Sequence, residues 1–324
     1  MKLWMRRAAK VCGGLLIVLA GGLGYIGYRF YTHGPPALAR AQISMPAARI
    51  RYGSGSNQMI DVRVPSGRGP FPVAVLVHGG CWNTTYGQPR DMAPLADALR
   101  RRGVASVNVT YRRVGEAGGG WPGTMSDVGK GIDGVRVVAS RFRLDPGRVV
   151  VVGHSAGAQI ALWSATRDRL PASSALYVAN PLMPRAVVAV DGPGALAEFI
   201  GVDAEICGEP AIVPFMGGTP AQVPQRYRDA TAQDHLPLAV PQYLILGGLG
   251  QYMEPYIRRA RAAGDPVFTA RPPRATHFDV LMPWQAPGQD TMNFVLRAVA
   301  DTTNTQGAAP RGNHGAGKRP ITRE

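Results

Sequence analysis

"VVVVGHSAGAQIALW", residues 149–163, sets Ser155 between two glycines, with four valines before it and an apolar helical repeat after it. Val149 to Val152 is a β-branched run of the kind found in strands buried on both faces. Ala158, Ala161, Leu162 and Ala165 then return at helical spacing. A strand therefore turns straight into a helix at Ser155. A turn so tight leaves no room for Cβ atoms at Gly153 and Gly157, and it lifts the serine hydroxyl clear of the sheet. The helix that starts there aims its free N–H groups and positive dipole end at the same spot. This context separates the motif from a chance GxSxG in a chain with 41 glycines.

Working outward, β-rich apolar segments fall at 59–64, 72–77, 104–110, 148–152, 186–190, 242–247 and 266–270, with helical patterns at 90–103, 124–142 and 255–264. Strands alternating with helices predict an α/β fold, a mostly parallel central sheet with helices on both faces. Ligands of such sheets bind beyond the carboxyl ends of the strands, where Ser155 sits. A second strand end carries "VLVHGGCW" (75–82). Its glycines let backbone N–H groups approach a ligand, and one of them, with the N–H of Ala156, suits a developing oxyanion. Of six histidines, His33 falls in a linker, His314 in a tail, His78 and His154 in the two motifs, and His235 in a polar connection. His277, in "RATHFDVL" after the last strand, is left as the general base.

The chain has 324 residues, 45% of them apolar, enough for a large core. Residues 1–10 are basic, and 11–30 read as a transmembrane signal anchor, with an uncharged apolar stretch at 11–28. A cleaved signal peptide is the alternative, with the folded domain outside the cytoplasm in either case. Residues 31–48 read as a linker, 49–301 as the folded domain with a cap insert at about 192–238, and 302–324 as a disordered basic tail. The net charge of +15 is scattered, with no basic stripe interleaved with aromatics, so no nucleic-acid partner is expected. The three cysteines form no metal-ligand spacing and nothing argues for a bridge between Cys81 and Cys207. No metal and no cofactor are expected.

Together "HGGCW" (78–82), "YRRVGEAGGGWPGTMSDV" (111–128), "GHSAG" (153–157), "PQRYRDATAQ" (224–233) and "ATHFDVL" (275–281) resemble the α/β-hydrolase superfamily. The similarity is to its bacterial esterase-like branch, which includes kynurenine-formamidase-like and feruloyl-esterase-like enzymes. The resemblance implies Ser155 as nucleophile, His277 as base, and the N–H groups of Ala156 and of Gly80 or Cys81 as oxyanion hole. It also implies Trp82 and Trp121 in the pocket, with a plain core position equally open for Trp121, Asp127 in a structural role, and Cys81 as a small loop residue. One segment departs from the pattern: "LILGGLGQYMEP" (244–255) has Gln251 where the branch has its acid. Asp191, at the end of "VVAVDGPGA" (187–195), stands at the neighbouring strand end and is the first replacement; the absence of any functional acid is the next reading, and Glu254, whose longer side chain could reach back, the last. The expected activity is cleavage of small or medium carboxylic esters, with amides or formamides second, through an acyl-serine. A catalytically weak or inactive binding module on the same fold is the rival reading.

Overall fold

The four valines at 149–152 split between the two faces of a central sheet, because successive strand residues point to opposite sides. Val149 and Val151 join a cluster with Ile132, Val135, Ile160 and Trp163. Val150 and Val152 join another with Leu95, Leu99, Val295 and Val299. All four valines are fully buried.

The computed structural model describes residues 28–29 and 31–304. Its first elements are helix α1 (Pro35–Arg40), strands β1 (Ala48–Arg51), β2 (Met59–Arg63) and β3 (Phe71–Val77), helix α2 (Ala93–Arg101) and strand β4 (Ala105–Thr110). Helix α3 (Gly123–Phe142), β5 (Leu144–His154), α4 (Ala156–Ser164) and β6 (Ala186–Val190) follow. Three short helices, α5 (Val202–Cys207), α6 (Ile212–Met216) and α7 (Pro224–Ala230), precede β7 (Gln242–Ile245), α8 (Glu254–Ala262), β8 (Val267–Ala270) and α9 (Ala286–Asn304). The strand order is β1-β2-β4-β3-β5-β6-β7-β8. β2 runs antiparallel to β1 and β4, and all remaining pairs are parallel.

Register decides what meets at the rim. Val77 pairs with Gly153, His154 with Val190, and Val190 with Ile245. The residues that follow β3, β5, β6 and β7 therefore leave the sheet side by side, at its carboxyl edge.

Four stretches differ from their sequence reading. An edge strand, β1, precedes the first expected one, and α9 continues to Asn304. Residues 31–48 are not a free linker: Ala37 and Leu38 of α1 are buried in the cluster that holds Met92, Leu95 and Leu99, and Thr276 Oγ1 donates to the His33 carbonyl at 3.3 Å. The insert at 192–238 is part of the main core, because Ile212, Phe215, Met216 and Tyr227 pack into the same cluster as the sheet. Asp203 organises it, its Oδ2 accepting the N–H groups of Ala211 and Ile212, each at 2.8 Å. No helix among the described residues is long and apolar enough to cross a membrane. Residues 1–27, with nearly all of the expected anchor, and 305–324 of the expected tail lie outside the described residues.

Leu38 is 1% exposed, so truncating it leaves a cavity under α1. Leu38→Ala is expected to lower the unfolding free energy by about 2–4 kcal/mol in chemical denaturation. A change within experimental error would mean that α1 is not docked.

Candidate active site

Ser155 sits at the junction of β5 and α4 with φ 54° and ψ −122°. A non-glycine residue held there stores of the order of 1–3 kcal/mol, which the surroundings must impose. They do so by close approach: a methyl at Gly153 would overlap the Gly157 carbonyl, and one at Gly157 would overlap the Val77 carbonyl. The Ser155 N–H donates to the Val190 carbonyl at 2.9 Å, tying the turn to β6.

Asp191, one residue past β6, is 1% exposed and also has a positive φ, 48°. Its Oδ2 accepts from His277 Nδ1 at 2.8 Å. Its Oδ1 accepts the N–H groups of Gly247 at 2.8 Å and Leu249 at 3.0 Å. The glycine loop after β7 thus carries no acid to the histidine; it supplies two backbone donors to an acid placed one strand earlier. Glu254 makes no contact with this pair; it is the first residue of α8 and forms an ion pair with Arg271. Gln251 is exposed and lines a separate depression with Glu198, Phe199 and Tyr252. Asp279 turns back to accept the Thr276 N–H at 2.8 Å.

Ser155 and His277 line one cavity of about 130 Å3 with Gly80, Cys81, Tyr86, Ile206, Phe278 and Leu281. Among the described residues no hydrogen bond joins the serine hydroxyl to the His277 ring. Such contacts are often long without substrate and tighten when it binds. The HGG loop runs directly against the serine, since a methyl on Gly79 would come within 2.8 Å of Ser155 Cβ. Gly80, Cys81 and Trp82 all have positive φ, at 113°, 52° and 53°. The N–H groups of Gly80 and Cys81 meet no acceptor among the described residues. Ala156, the first residue of α4, has an N–H with no acceptor one turn earlier in the helix.

Two side chains assigned to the pocket belong elsewhere. Trp82 is 2% exposed, stacks on Phe215 at 5.2 Å and donates through Nε1 to Gln159 at 3.3 Å. Trp121 packs at the edge of the main core, its N–H donating to the Phe215 carbonyl at 2.8 Å, and it does not border the Ser155 cavity. A loop at φ near 50° points residue 82 into the core, so the apolar lining comes from Tyr86, Ile206, Phe278 and Leu281 instead. Asp127 has the structural role expected of it. It is buried, receives Arg112 through Nε at 2.7 Å and Nη2 at 2.8 Å, and accepts Gln58 Nε2 at 2.7 Å.

Sequence reasoning missed two further contributors. His154 Nε2 donates to the His277 carbonyl at 2.7 Å, and the two rings lie 4.5 Å apart. Burial, reinforced by the neighbouring His277 ring, holds the His154 pKa well below its ordinary value, so the ring stays neutral. His78, buried against Tyr111, is pushed down to about 3 by the same desolvation. The other contributor is a disulfide between Cys81 and Cys207, 126 residues apart, which fastens the HGG loop to the end of α5. Cys81 is therefore half of a cross-link, not simply a small loop residue. Adjacent Ile206 brings that helix to the cavity wall. Nothing in the sequence signals that two cysteines 126 residues apart will meet.

This is the α/β-hydrolase fold, with a serine on a nucleophile elbow and a histidine–aspartate pair at the same rim. The family model described as BD-FAE matches residues 60–254, more than half of the chain, and the chain belongs to that family. A probable carboxylic ester hydrolase, LipM of Mycobacterium tuberculosis (strain ATCC 25618 / H37Rv), is 26% identical over 255 residues, 74% of this chain and 56% of that protein. A probable isoprenylcysteine alpha-carbonyl methylesterase, ICMEL1 of Oryza sativa subsp. japonica, is 28% identical over 160 residues, 49% of this chain and 34% of that one. The chain thus spans between a third and just over half of the length of these curated relatives. Among solved structures, esterase B of Lactobacillus rhamnosis superposes with a TM-score of 0.68 at 14% identity, over 90% of this chain and 98% of that one. A bacterial heroin esterase does so at 0.62 and 20%, over 82% and 87%.

The disulfide has a direct chemical readout. Alkylation of the denatured chain is expected to label one of its three cysteines without reductant and all three after reduction. Closing so long a loop restricts the unfolded chain, so Cys81→Ala/Cys207→Ala should lose about 4 kcal/mol of stability. Three reactive thiols before reduction would contradict the bridge.

Proposed function

We propose that the chain is a serine hydrolase that cleaves small carboxylic esters through an acyl-serine intermediate. The observation that carries this reading is the 2.8 Å contact between His277 Nδ1 and the buried Asp191 carboxylate, on the same cavity as Ser155. Because Nδ1–H is committed to Asp191, Nε2 keeps a free lone pair and can take the serine proton. Ser155 Oγ then attacks the ester carbonyl, and the N–H groups of Ala156 and of Gly80 or Cys81 hold the oxyanion. The proton passes from His277 to the leaving alcohol as the C–O bond breaks. Water, deprotonated by the same ring, releases the acid and restores the serine.

The cavity argues for the substrate class. At about 130 Å3, with Tyr86, Ile206, Phe278 and Leu281 on its walls, it suits a short, uncharged acyl group. None of the described arginines borders it, so the net charge of +15 does not make the substrate an anion. Amides are the second substrate class. The inactive-module alternative draws on the missing hydrogen bond between Ser155 and His277, and a fluorophosphonate probe separates the two. For location, we read 11–30 as a membrane anchor with the domain on the outer side. The apolar stretch supports it, as does the disulfide, which persists in oxidising compartments. Retention of the full chain in alkali-washed membranes is expected, and its release would contradict an anchor.

Wild type is expected to react with the fluorophosphonate and to hydrolyse p-nitrophenyl acetate faster than the octanoate, with both activities lost in Ser155→Ala. Asp191→Asn should lower kcat by about 10⁴ while Glu254→Gln stays near wild type. Folded wild type that neither labels nor turns over would refute the enzyme, and undiminished turnover in Asp191→Asn would refute its acid.

A further inference from the structure

Near its β1 edge the sheet has a polar face of the kind that helices usually cover with apolar side chains. Ile60 and Val62 of β2, with Val107 and Val109 of β4, point into the main core. Their alternates therefore share the opposite face, where register pairs Asp61 with Asn108 and Arg63 with Ser106. Arg63, Ser106 and Asn108 are 3%, 0% and 2% exposed. Yet Arg63 Nε and Nη1, Ser106 Oγ and Asn108 Oδ1 have no partner. Arg63 makes one hydrogen bond, from Nη2 to the Ser44 carbonyl at 3.2 Å, and has no carboxylate within ion-pair distance among the described residues. Buried polar groups left unpaired cost about 1–3 kcal/mol each and more when charged, so a fold that keeps several together invites a ligand.

Arg63 and Asn108 line a cavity of about 770 Å3, bordered also by Arg40, Arg90 and Arg113. The one acid on its wall, Asp61, is taken by Arg49 through two contacts of 2.6 and 2.8 Å. Arg90 spends a single bond on the Ala39 carbonyl at 3.0 Å, whereas Arg113 is held by an ion pair with Glu116 at 3.3 Å and a bond to the Gly87 carbonyl at 2.9 Å, which leave only its Nε unpartnered. The site is separate from the esterase cavity. Tyr86, Gly87 and Asp91 face the serine, whereas Gln88, Pro89 and Arg90 of the same loop face the arginines.

We propose that this cavity binds a phosphate group, with Arg63 as its buried anchor and Arg90 and Arg113 closing on it from the loop side. A tetrahedral dianion offers acceptors in several directions, which matches guanidinium groups converging from different elements; a planar carboxylate would satisfy one fork. Burial pushes the Arg63 pKa down, and a bound anion reverses that penalty. The phosphate can belong to a soluble ester or to the headgroup of an anionic lipid. Arg40 and Gln42 line the cavity on the segment that follows the apolar stretch 11–28, which would keep the site near a bilayer.

The test is calorimetric titration of the full chain with inorganic phosphate against chloride at equal ionic strength, with flotation on vesicles of phosphatidylglycerol or phosphatidylcholine. Saturable phosphate binding is expected, weakened roughly tenfold or more in Arg63→Gln. Should that buried variant fail to fold, Arg90→Glu on the wall must show the same loss with thermal unfolding and ester turnover unchanged. Preference for phosphatidylglycerol, abolished by Arg90→Glu and competed by phosphate, supports the site and assigns it to a headgroup. Phosphate binding without that preference supports the site and assigns it to a soluble ester. No saturable phosphate binding by wild type, or wild-type affinity in Arg90→Glu, overturns the proposal.

Discussion

A buried carboxylate that meets its histidine only because two strands end in register is the constraint on which the site depends. Asp191 lies one residue past β6, and three donors converge on it: the His277 ring and the N–H groups of Gly247 and Leu249. Left without them, a carboxylate 1% exposed would be expensive to ionise. With them it is a fully hydrogen-bonded acceptor that orients the imidazole, and in the proposed mechanism it is the group that stabilises the imidazolium during proton transfer. The cost of the arrangement shows in the backbone, where both Ser155 and Asp191 occupy the left-handed half of conformational space.

The loops around this pair are braced from several sides. His154, held neutral by burial, fixes the backbone of His277 through a 2.7 Å hydrogen bond. The Cys81–Cys207 bridge couples the HGG loop to α5, joining the helix that bears Ile206 to the loop that bears Gly80. On the far side of the same loop, Arg113 donates to the Gly87 carbonyl at 2.9 Å and borders the arginine-lined cavity. The chain from 86 to 91 thus runs between the two cavities, with Tyr86, Gly87 and Asp91 on the Ser155 side and Gln88, Pro89 and Arg90 on the side of the proposed phosphate site.

Most of the architecture was legible in the sequence because it rests on local patterns. The valine run at 149–152 has the signature of a strand covered on both faces, and GHSAG leaves few ways to continue from it. What escaped notice depends on distance in space. Whether Asp191 or Glu254 reaches His277 is a matter of strand register and helix phase, and the ion pair that occupies Glu254 involves an arginine 17 residues later. Trp82 looked like a pocket residue beside HGGC, but a positive φ turns its ring into the core. The disulfide joins residues 126 apart, and the polar face of β2 and β4 becomes visible only when two alternations are laid side by side. Residues 31–48 read as a linker for their proline and alanine content, although Leu38 alone is apolar enough to dock α1.

The most direct test of the histidine–aspartate pair is low-field proton NMR of the wild-type chain after fluorophosphonate modification of Ser155. A deshielded Nδ1 proton of His277 is expected, absent in Asp191→Asn and retained in Glu254→Gln. A resonance that survives Asp191→Asn, or disappears in Glu254→Gln, would mean that the imidazole is held by a different acid.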